Sequence, residues 1–172
     1  MLVLTLIAIV ASMALPRISF VRYRQDANGR LVQRTLIAAQ QIAMSRNTNV
    51  LFVIDYAASQ MRIVDDTNAN GAADAAERKQ AWRLSEGAKF AIPSVTVDGA
   101  TAYYATGPGI STTTAGPTIT FYPNGSASGD AFVYVGIPSG RSDALRAVEF
   151  AGSTGRTRLW RYLSGAWRRD SL

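Results

Sequence analysis

The chain opens with MLVLTLIAIVASMALP, residues 1–16, a run without a single charged side chain. As an α-helix, the part before Pro16 spans roughly 22 Å at about 1.5 Å per residue. That is shorter than the ~30 Å hydrocarbon core of a bilayer, which needs about 20 apolar residues. No basic segment precedes the run and a helical pattern follows it, so it is a poor match to a cleaved signal peptide. The simpler alternative is a buried core helix, for which we expect at least one polar stripe.

The segment from Arg17 to Asn47 continues the helix as a basic, amphipathic stretch. An apolar stripe at helical spacing predicts one buried face, formed by Leu31, Thr35, Ala38 and Ile42 with Val32, Leu36 and Ala39 beside them. Arginines dominate the remaining positions, and Asp26 is the only acidic residue of the segment. The Asn28-Gly29 pair interrupts the pattern and predicts a kink or a break in the helix.

From Val50 the apolar pattern changes to the period of two that is typical of strands. The predicted strands cover residues 50–55, 60–64, 81–84, 94–97, 118–122, 131–135, 147–150 and 157–161. Turn signals at 123–125 and 152–155 join the last two pairs, and the Thr- and Gly-rich stretch 99–117 predicts a long surface loop. A long helix followed by many short strands predicts an α+β fold with an antiparallel sheet or sandwich.

Composition excludes several function classes. The chain has 172 residues, a hydrophobic fraction of 48% and a net charge of +6, with no cysteine and no histidine. Without these two residue types there are no Ser-His or Cys-His nucleophile pairs, no disulfide and few routes to a zinc site. No group of residues has a catalytic pattern, so the sequence predicts a protein that is not an enzyme. The arginine-rich balance favours an acidic partner or a membrane surface.

The apolar run and the basic helix together resemble the N-terminal helix of type IV pilins and pseudopilins. Leu2 to Ala14 match the middle of that family pattern, and Pro16 matches its interior proline. The helix end from Ala43 to Asn47, followed by a strand, resembles the GspH/FimT branch. The resemblance implies a pilin-like fold: an N-terminal helix over residues 1–46, with 1–16 in the membrane or filament core and 17–46 amphipathic, and a β-rich periplasmic head domain over 47–172.

The family pattern normally begins with a glycine cleavage site and a Phe-Thr-Leu-Ile-Glu run, which would lie before Met1. Either the start codon has been placed too late, which we favour, or the chain is a truncated relative; prepilin cleavage and N-methylation depend on that opening. The resemblance implies a non-enzymatic minor pilin or pseudopilin in the bacterial inner membrane, single-pass with a periplasmic head. It would assemble with other pilins through its helix into a type IV pilus or a type II secretion pseudopilus. A DNA-binding minor pilin for DNA uptake in transformation is the alternative, and a soluble calcium-binding module is a third class.

A polar loop in the middle of the chain fits the spacing of an EF-hand calcium loop. Its candidate ligands are Asp66, Asn68, Asn70, Ala72, Asp74 and Glu77, with Gly71 at the sharp turn. The flanking segments have strand patterns rather than the helices of an EF-hand. The loop also resembles the Asp-rich hairpin of GspH/FimT-like proteins, and a metal-free polar turn is the alternative. Calcium is therefore the only cofactor that the sequence suggests.

A second resemblance to this family joins Phe121 to Gly125 with the later Gly155-Arg156-Thr157-Arg158 segment. FimT-like members carry a Gly-Arg-x-Arg segment that is implicated in holding DNA. On a strand the two arginines face the same way, roughly 6–7 Å apart, a spacing that suits successive phosphates. The predicted DNA-contacting residues are Arg156, Arg158, Arg161, Arg168 and Arg169, with Trp160 and Tyr162 available for stacking. The alternative is an edge strand whose arginines only keep it soluble.

Overall fold

The computed structural model describes residues 2–85, 87–90, 92–97, 104–107, 110–112, 118–137 and 142–170. One helix, α1 (Leu2–Arg46), precedes all the strands. The strands are β1 (Asn49–Asp55), β2 (Gln60–Asp66), β3 (Lys79–Arg83), β4 (Lys89–Phe90), β5 (Tyr104–Gly107), β6 (Ile110–Thr112), β7 (Thr118–Phe121), β8 (Ala131–Gly136), β9 (Arg146–Ala151), β10 (Arg156–Leu163) and β11 (Ala166–Arg169). A short 3₁₀ helix, Ser142–Ala144, precedes β9.

The strands form two antiparallel sheets. The first has the order β3-β2-β1-β7, and the second has the order β11-β10-β9-β8-β6-β5, with β4 also paired to β8. Most neighbours in the sheets are also neighbours in sequence, as hairpins of short strands require. The predicted α+β class with a long N-terminal helix on antiparallel sheets is confirmed.

The main core lies where α1 packs on both sheets. The helix contributes Val32, Leu36, Ala39 and Ala43, all of them fully buried. These side chains join a cluster with apolar residues of the first sheet, such as Phe52, and of the second, such as Phe150. Of the predicted stripe, Val32, Thr35, Leu36 and Ala39 are buried, whereas Leu31, Ala38 and Ile42 are only partly buried.

The predicted break at Asn28-Gly29 is wrong, because α1 is continuous from Leu2 to Arg46. Both residues are used in tertiary packing. The Asn28 side chain bonds Ser85, and a Cβ added at Gly29 would lie 2.7 Å from a methyl carbon of Leu159. Glycine therefore lets the helix approach the second sheet closely. This packing offsets the cost of a glycine inside a helix, which is about 1 kcal/mol relative to alanine.

A buried ion pair also holds α1 to the second sheet. The Arg146 side chain is only 2% exposed, and its Nε donates to Asp26 Oδ1 on the helix at 2.6 Å. Its Nη1 donates to the carbonyl oxygens of Asp143 at 3.0 Å and Leu145 at 2.7 Å. These three bonds explain how a charged side chain can be buried here, since a buried charge must be paired and hydrogen-bonded.

One predicted strand and one predicted loop differ from the structure. Residues 94–97 are not a strand; instead Val97 is buried against the outer face of the second sheet, beside Phe132 and Tyr134. The predicted loop 99–117 contains β5 and β6 in the parts that are described. Over the residues described in full, no helix is long and apolar enough to cross a membrane; the side chains of residues 1–20 lie outside that set.

Candidate functional site

The two segments that carried the second family resemblance meet in space at Gln40 of α1. Gln40 Nε2 donates to the carbonyl oxygen of Gly125 at 2.6 Å. Gly155 has a φ of +66°, and a Cβ added there would overlap the same amide group. The two turns are also joined to each other, because the Ala127 N–H donates to the carbonyl oxygen of Gly152 at 2.8 Å. This junction fixes the point at which β10 and its arginines begin.

Arg156 and Arg158 lie on the same face of β10, as alternation requires. Arg158 Nη1 donates to Glu149 Oε1 at 3.0 Å on the neighbouring strand. Arg156 is exposed, and no described residue forms an ion pair or a hydrogen bond with its side chain. Of this pair, only Arg156 presents a free guanidinium.

The other three predicted arginines also differ in their partners. Arg161 lies on the helix side of β10, where Nη2 contacts Asp170 at 2.8 Å and Nε lies 3.3 Å from Asp26. Arg168 and Arg169 on β11 are exposed and have no ion-pair partner among the described residues. Three of the five guanidinium groups therefore have no ion-pair partner in the described part of the chain and can receive an external anion.

A cavity of about 320 Å³ lies between α1 and the start of β10. Arg156 and Arg169 line it from the strands, and Arg30 and Gln33 line it from the helix. Gln33 Nε2 donates to Thr157 Oγ1 at 3.1 Å, which fixes the helix against this wall. Arg30 was not among the residues predicted from the sequence. Arg30 lies in α1, far from β10 in the sequence, and only the tertiary packing brings it beside Arg156.

The aromatic side chains that were expected to stack on bases are engaged within the protein. Trp160 Nε1 donates to Glu149 Oε2 at 2.9 Å, and its ring packs against the small cluster on the outer face of the second sheet. Tyr162 makes an edge-to-face contact with Trp167, with ring centroids 5.3 Å apart. Neither ring is a free stacking platform in this conformation.

The Asp-rich loop brings its predicted ligands together as a hydrogen-bonded turn. Asp66 is only 2% exposed, and its two carboxylate oxygens accept the N–H groups of Asn70 and Gly71, each at 3.0 Å. The Ala72 N–H donates to Asn70 Oδ1 at 2.8 Å. These bonds are those of a polar turn in which Asx side chains satisfy the backbone.

The other end of the loop is satisfied in the same way. Asp74 Oδ2 accepts the side-chain amides of Asn68 and Asn70, both at 2.8 Å, and these bonds hold the pKa of Asp74 below its usual value. Glu77 accepts the N–H groups of Thr67 at 3.2 Å and Asp74 at 3.0 Å. Among the described residues no three acidic side chains are grouped closely enough to hold a metal ion. Calcium binding here stays a prediction.

A single long N-terminal helix laid across antiparallel sheets, with charged loops on a small β-rich head, defines a pilin-like protein. A sequence model of the family described as Type II transport protein GspH matches residues 28–154. The chain therefore belongs to the GspH family, as its sequence resemblance indicated. That membership supports a role as a pilus or pseudopilus subunit.

Solved structures share the fold at low sequence identity. The minor pseudopilin EpsH of the type 2 secretion system of Vibrio cholerae is 12% identical, with a TM-score of 0.55, over 83% of this chain and 99% of that one. The type IV minor pilin FimU of Pseudomonas aeruginosa is 16% identical, with a TM-score of 0.54, over 80% of this chain and 89% of that one. No curated protein matches the chain.

Proposed function

We propose that this protein is a non-enzymatic minor pilin or pseudopilin whose helix assembles with other pilin subunits. The length of α1 carries this proposal. Its 45 residues extend about 67 Å as a helix, and among residues 21–46, whose side chains the structure describes, the buried ones lie between Gln25 and Ala43. The uncharged run of residues 1–16 precedes this part, and its composition suits a membrane or the helices of other subunits.

The proposed location follows from the same helix. Residues 1–16 anchor the chain in the bacterial inner membrane, single-pass, with the head in the periplasm, and the protein becomes part of a filament when it assembles. A substitution inside the run tests this: Leu6→Arg places a charge among apolar neighbours, which costs about 2.5–3.5 kcal/mol at the centre of a membrane helix. We expect loss of the chain from membrane and filament fractions, whereas Thr5→Ser should leave both unchanged. Equal recovery of Leu6→Arg and the parent chain in both fractions would contradict the proposal.

DNA binding is the second candidate function. The observation that favours it is that Arg156, Arg168 and Arg169 are exposed without an ion-pair partner among the described residues, and that Arg156 and Arg169 line the cavity. Phosphate contacts are non-specific and salt-dependent, so we expect dissociation constants of roughly 10⁻⁴–10⁻⁶ M that weaken steeply with salt.

The test is a fluorescence titration of labelled DNA with the parent chain and the double variant Arg156→Gln/Arg158→Gln. The double variant should bind more weakly and show a shallower salt dependence. Arg78→Gln/Lys79→Gln is the matched control, since these exposed residues lie at the Asp-rich loop on the first sheet. Equal affinity of the parent and Arg156→Gln/Arg158→Gln at low salt would exclude a DNA role for this segment.

A further inference from the structure

A second cavity, of about 570 Å³, lies beside the first along α1. Its wall includes Tyr23, Arg30 and Arg34 from the helix and Arg83 from the end of β3. Arg30 lines both cavities. The two cavities therefore meet at Arg30, and we call the surface that they form the arginine groove.

The wall of the second cavity is fixed by hydrogen bonds. Asn28 Nδ2 donates to Ser85 Oγ at 2.8 Å, and the Ser85 N–H donates back to Asn28 Oδ1 at 3.0 Å. Asn28 is buried, so these two bonds hold the end of β3 against the helix away from solvent. The backbone wall of the second cavity is therefore fixed before a ligand binds, and the ligand has to order only the exposed side chains.

The charge of the arginine groove is unbalanced. Arg30, Arg34 and Arg83 are exposed, and no described residue forms an ion pair with any of them. The acidic residue in the wall of this second cavity, Asp26, is already bonded to Arg146. Arg30 and Arg34 are one helical turn apart, about 6 Å along the axis, so their guanidinium groups can contact neighbouring phosphates of one strand.

Tyr23 adds an aromatic surface to this groove. Its side chain is 76% exposed, the largest exposure among the described large hydrophobic residues. A ring beside a basic groove is the combination by which proteins bind single-stranded nucleic acid, because unpaired bases stack on aromatic faces while arginines contact phosphates. In a duplex the bases are stacked on one another, so the same ring has no base to receive.

We propose that the arginine groove binds single-stranded nucleic acid, with Tyr23 stacking on a base and Arg30, Arg34 and Arg83 contacting phosphates on the way to Arg156 and Arg169. This inference rests on the proposed DNA-binding function. It assigns the stacking role to Tyr23, since Trp160 and Tyr162 are packed within the protein. A second copy of the chain is a poor occupant, because its net charge of +6 repels the groove.

The experiment uses the full chain in a non-ionic detergent and two labelled probes: an oligothymidylate of twelve nucleotides and a twelve-base-pair duplex. The variants are Tyr23→Ala and Arg30→Gln/Arg34→Gln. All three positions are exposed, so we expect these variants to fold. The matched control is Arg78→Gln/Lys79→Gln, which removes the same charge elsewhere. Circular dichroism melting checks that each variant is folded.

The inference predicts a different change in affinity for each variant. Tyr23→Ala should weaken oligothymidylate binding by at least about fivefold and leave duplex binding unchanged, since stacking is lost only with unpaired bases. Arg30→Gln/Arg34→Gln should weaken both probes and reduce the oligothymidylate salt slope by about 1.4, or about 0.7 for each lost contact. The control should lie within twofold of the parent chain.

Other outcomes overturn the inference in distinguishable ways. If Arg156→Gln/Arg158→Gln, the variant that tests the proposed function, weakens binding but Arg30→Gln/Arg34→Gln does not, the DNA-binding function stands and the arginine groove is not its path. If the parent chain binds neither probe, both proposals fail. If the control loses as much affinity as Arg30→Gln/Arg34→Gln, only net charge matters. If polyglutamate displaces the probe as well as unlabelled oligothymidylate does, and Tyr23→Ala has no effect, the groove is suited to an acidic protein segment instead.

Discussion

Removing the Asp26 carboxylate should destabilise the protein strongly. Arg146 is 2% exposed, and its Nε donates to Asp26 Oδ1 at 2.6 Å. Asp26→Ala would leave the guanidinium buried with two carbonyl acceptors and without its main counter-charge. Breaking a buried pair in this way costs about 3–5 kcal/mol, and the partial exposure of Asp26 places the expected loss near 3 kcal/mol. For a chain of this size, that corresponds to a melting temperature about 6–12 °C lower.

The measurement is thermal unfolding followed by circular dichroism, with Arg22→Gln as the matched control. Arg22 contacts Asp143 at 3.1 Å on the surface, with 53% of its side chain exposed, so its removal should cost no more than about 1 kcal/mol. The double variant Asp26→Leu/Arg146→Met removes both charges and should recover part of the lost stability. A melting temperature of Asp26→Ala within about 2 °C of the parent chain would refute the reasoning, because the two carbonyls would then suffice for Arg146.

Three further predictions concern the turns and loops. Gly155→Ala should lower the free energy of unfolding by about 2 kcal/mol, because alanine is strained at the left-handed φ and its Cβ displaces the Gln40 amide. Gly165 has a similar φ but open space around it, so Gly165→Ala should lower it by only about 1 kcal/mol. Chemical denaturation of both variants checks the difference. Millimolar calcium should raise the melting temperature of the parent chain but not of Glu77→Ala, and no shift in the parent would leave the loop a plain turn. The Ala58 N–H bond, with Gln60 and Arg62, holds the pKa of Asp55 below its usual value, so the stability it contributes is present above about pH 4 and is lost as the pH falls through the lower, folded-state pKa. Asp55→Asn should therefore show a flatter fall of melting temperature with acid, and identical pH profiles would contradict this.

The sequence predicted the features that depend on local pattern. The helical and strand periods placed α1 and most strands near their observed bounds, and strand alternation placed Arg156 and Arg158 on one face. The strand pattern gave a wrong prediction where apolar residues pack on the face of a sheet without pairing to a neighbouring strand. The apolar alternation at 94–97 arises because Val97 covers the outer face of a sheet without being a strand. The short, polar strand β11 lacks a clear period and was not predicted.

The partners of charged residues could not be predicted from the sequence. Arg158 has the same pattern signal as Arg156, but Glu149 on the neighbouring strand pairs with it. Arg161 lies on the opposite face of β10, where Asp170 pairs with it. The helical pattern places Arg30 on the basic face of α1 and does not indicate which residues lie beside it in the folded protein. Its position between two cavities depends on the crossing of α1 over β10, which no local signal encodes.

The Gly-Arg-x-Arg segment has two separable roles in this structure. Gly155 is required by the junction with Gln40, because a side chain there would disturb the bond that joins α1 to Gly125. Arg156, by contrast, has no partner among the described residues and is free to bind an anion. A glycine substitution in this segment would therefore lower stability and displace the arginine together, and its loss of binding could not be assigned to either cause. Substituting Arg156 alone changes the charge and leaves the junction intact, so only the arginine variants can test whether this surface contacts nucleic acid.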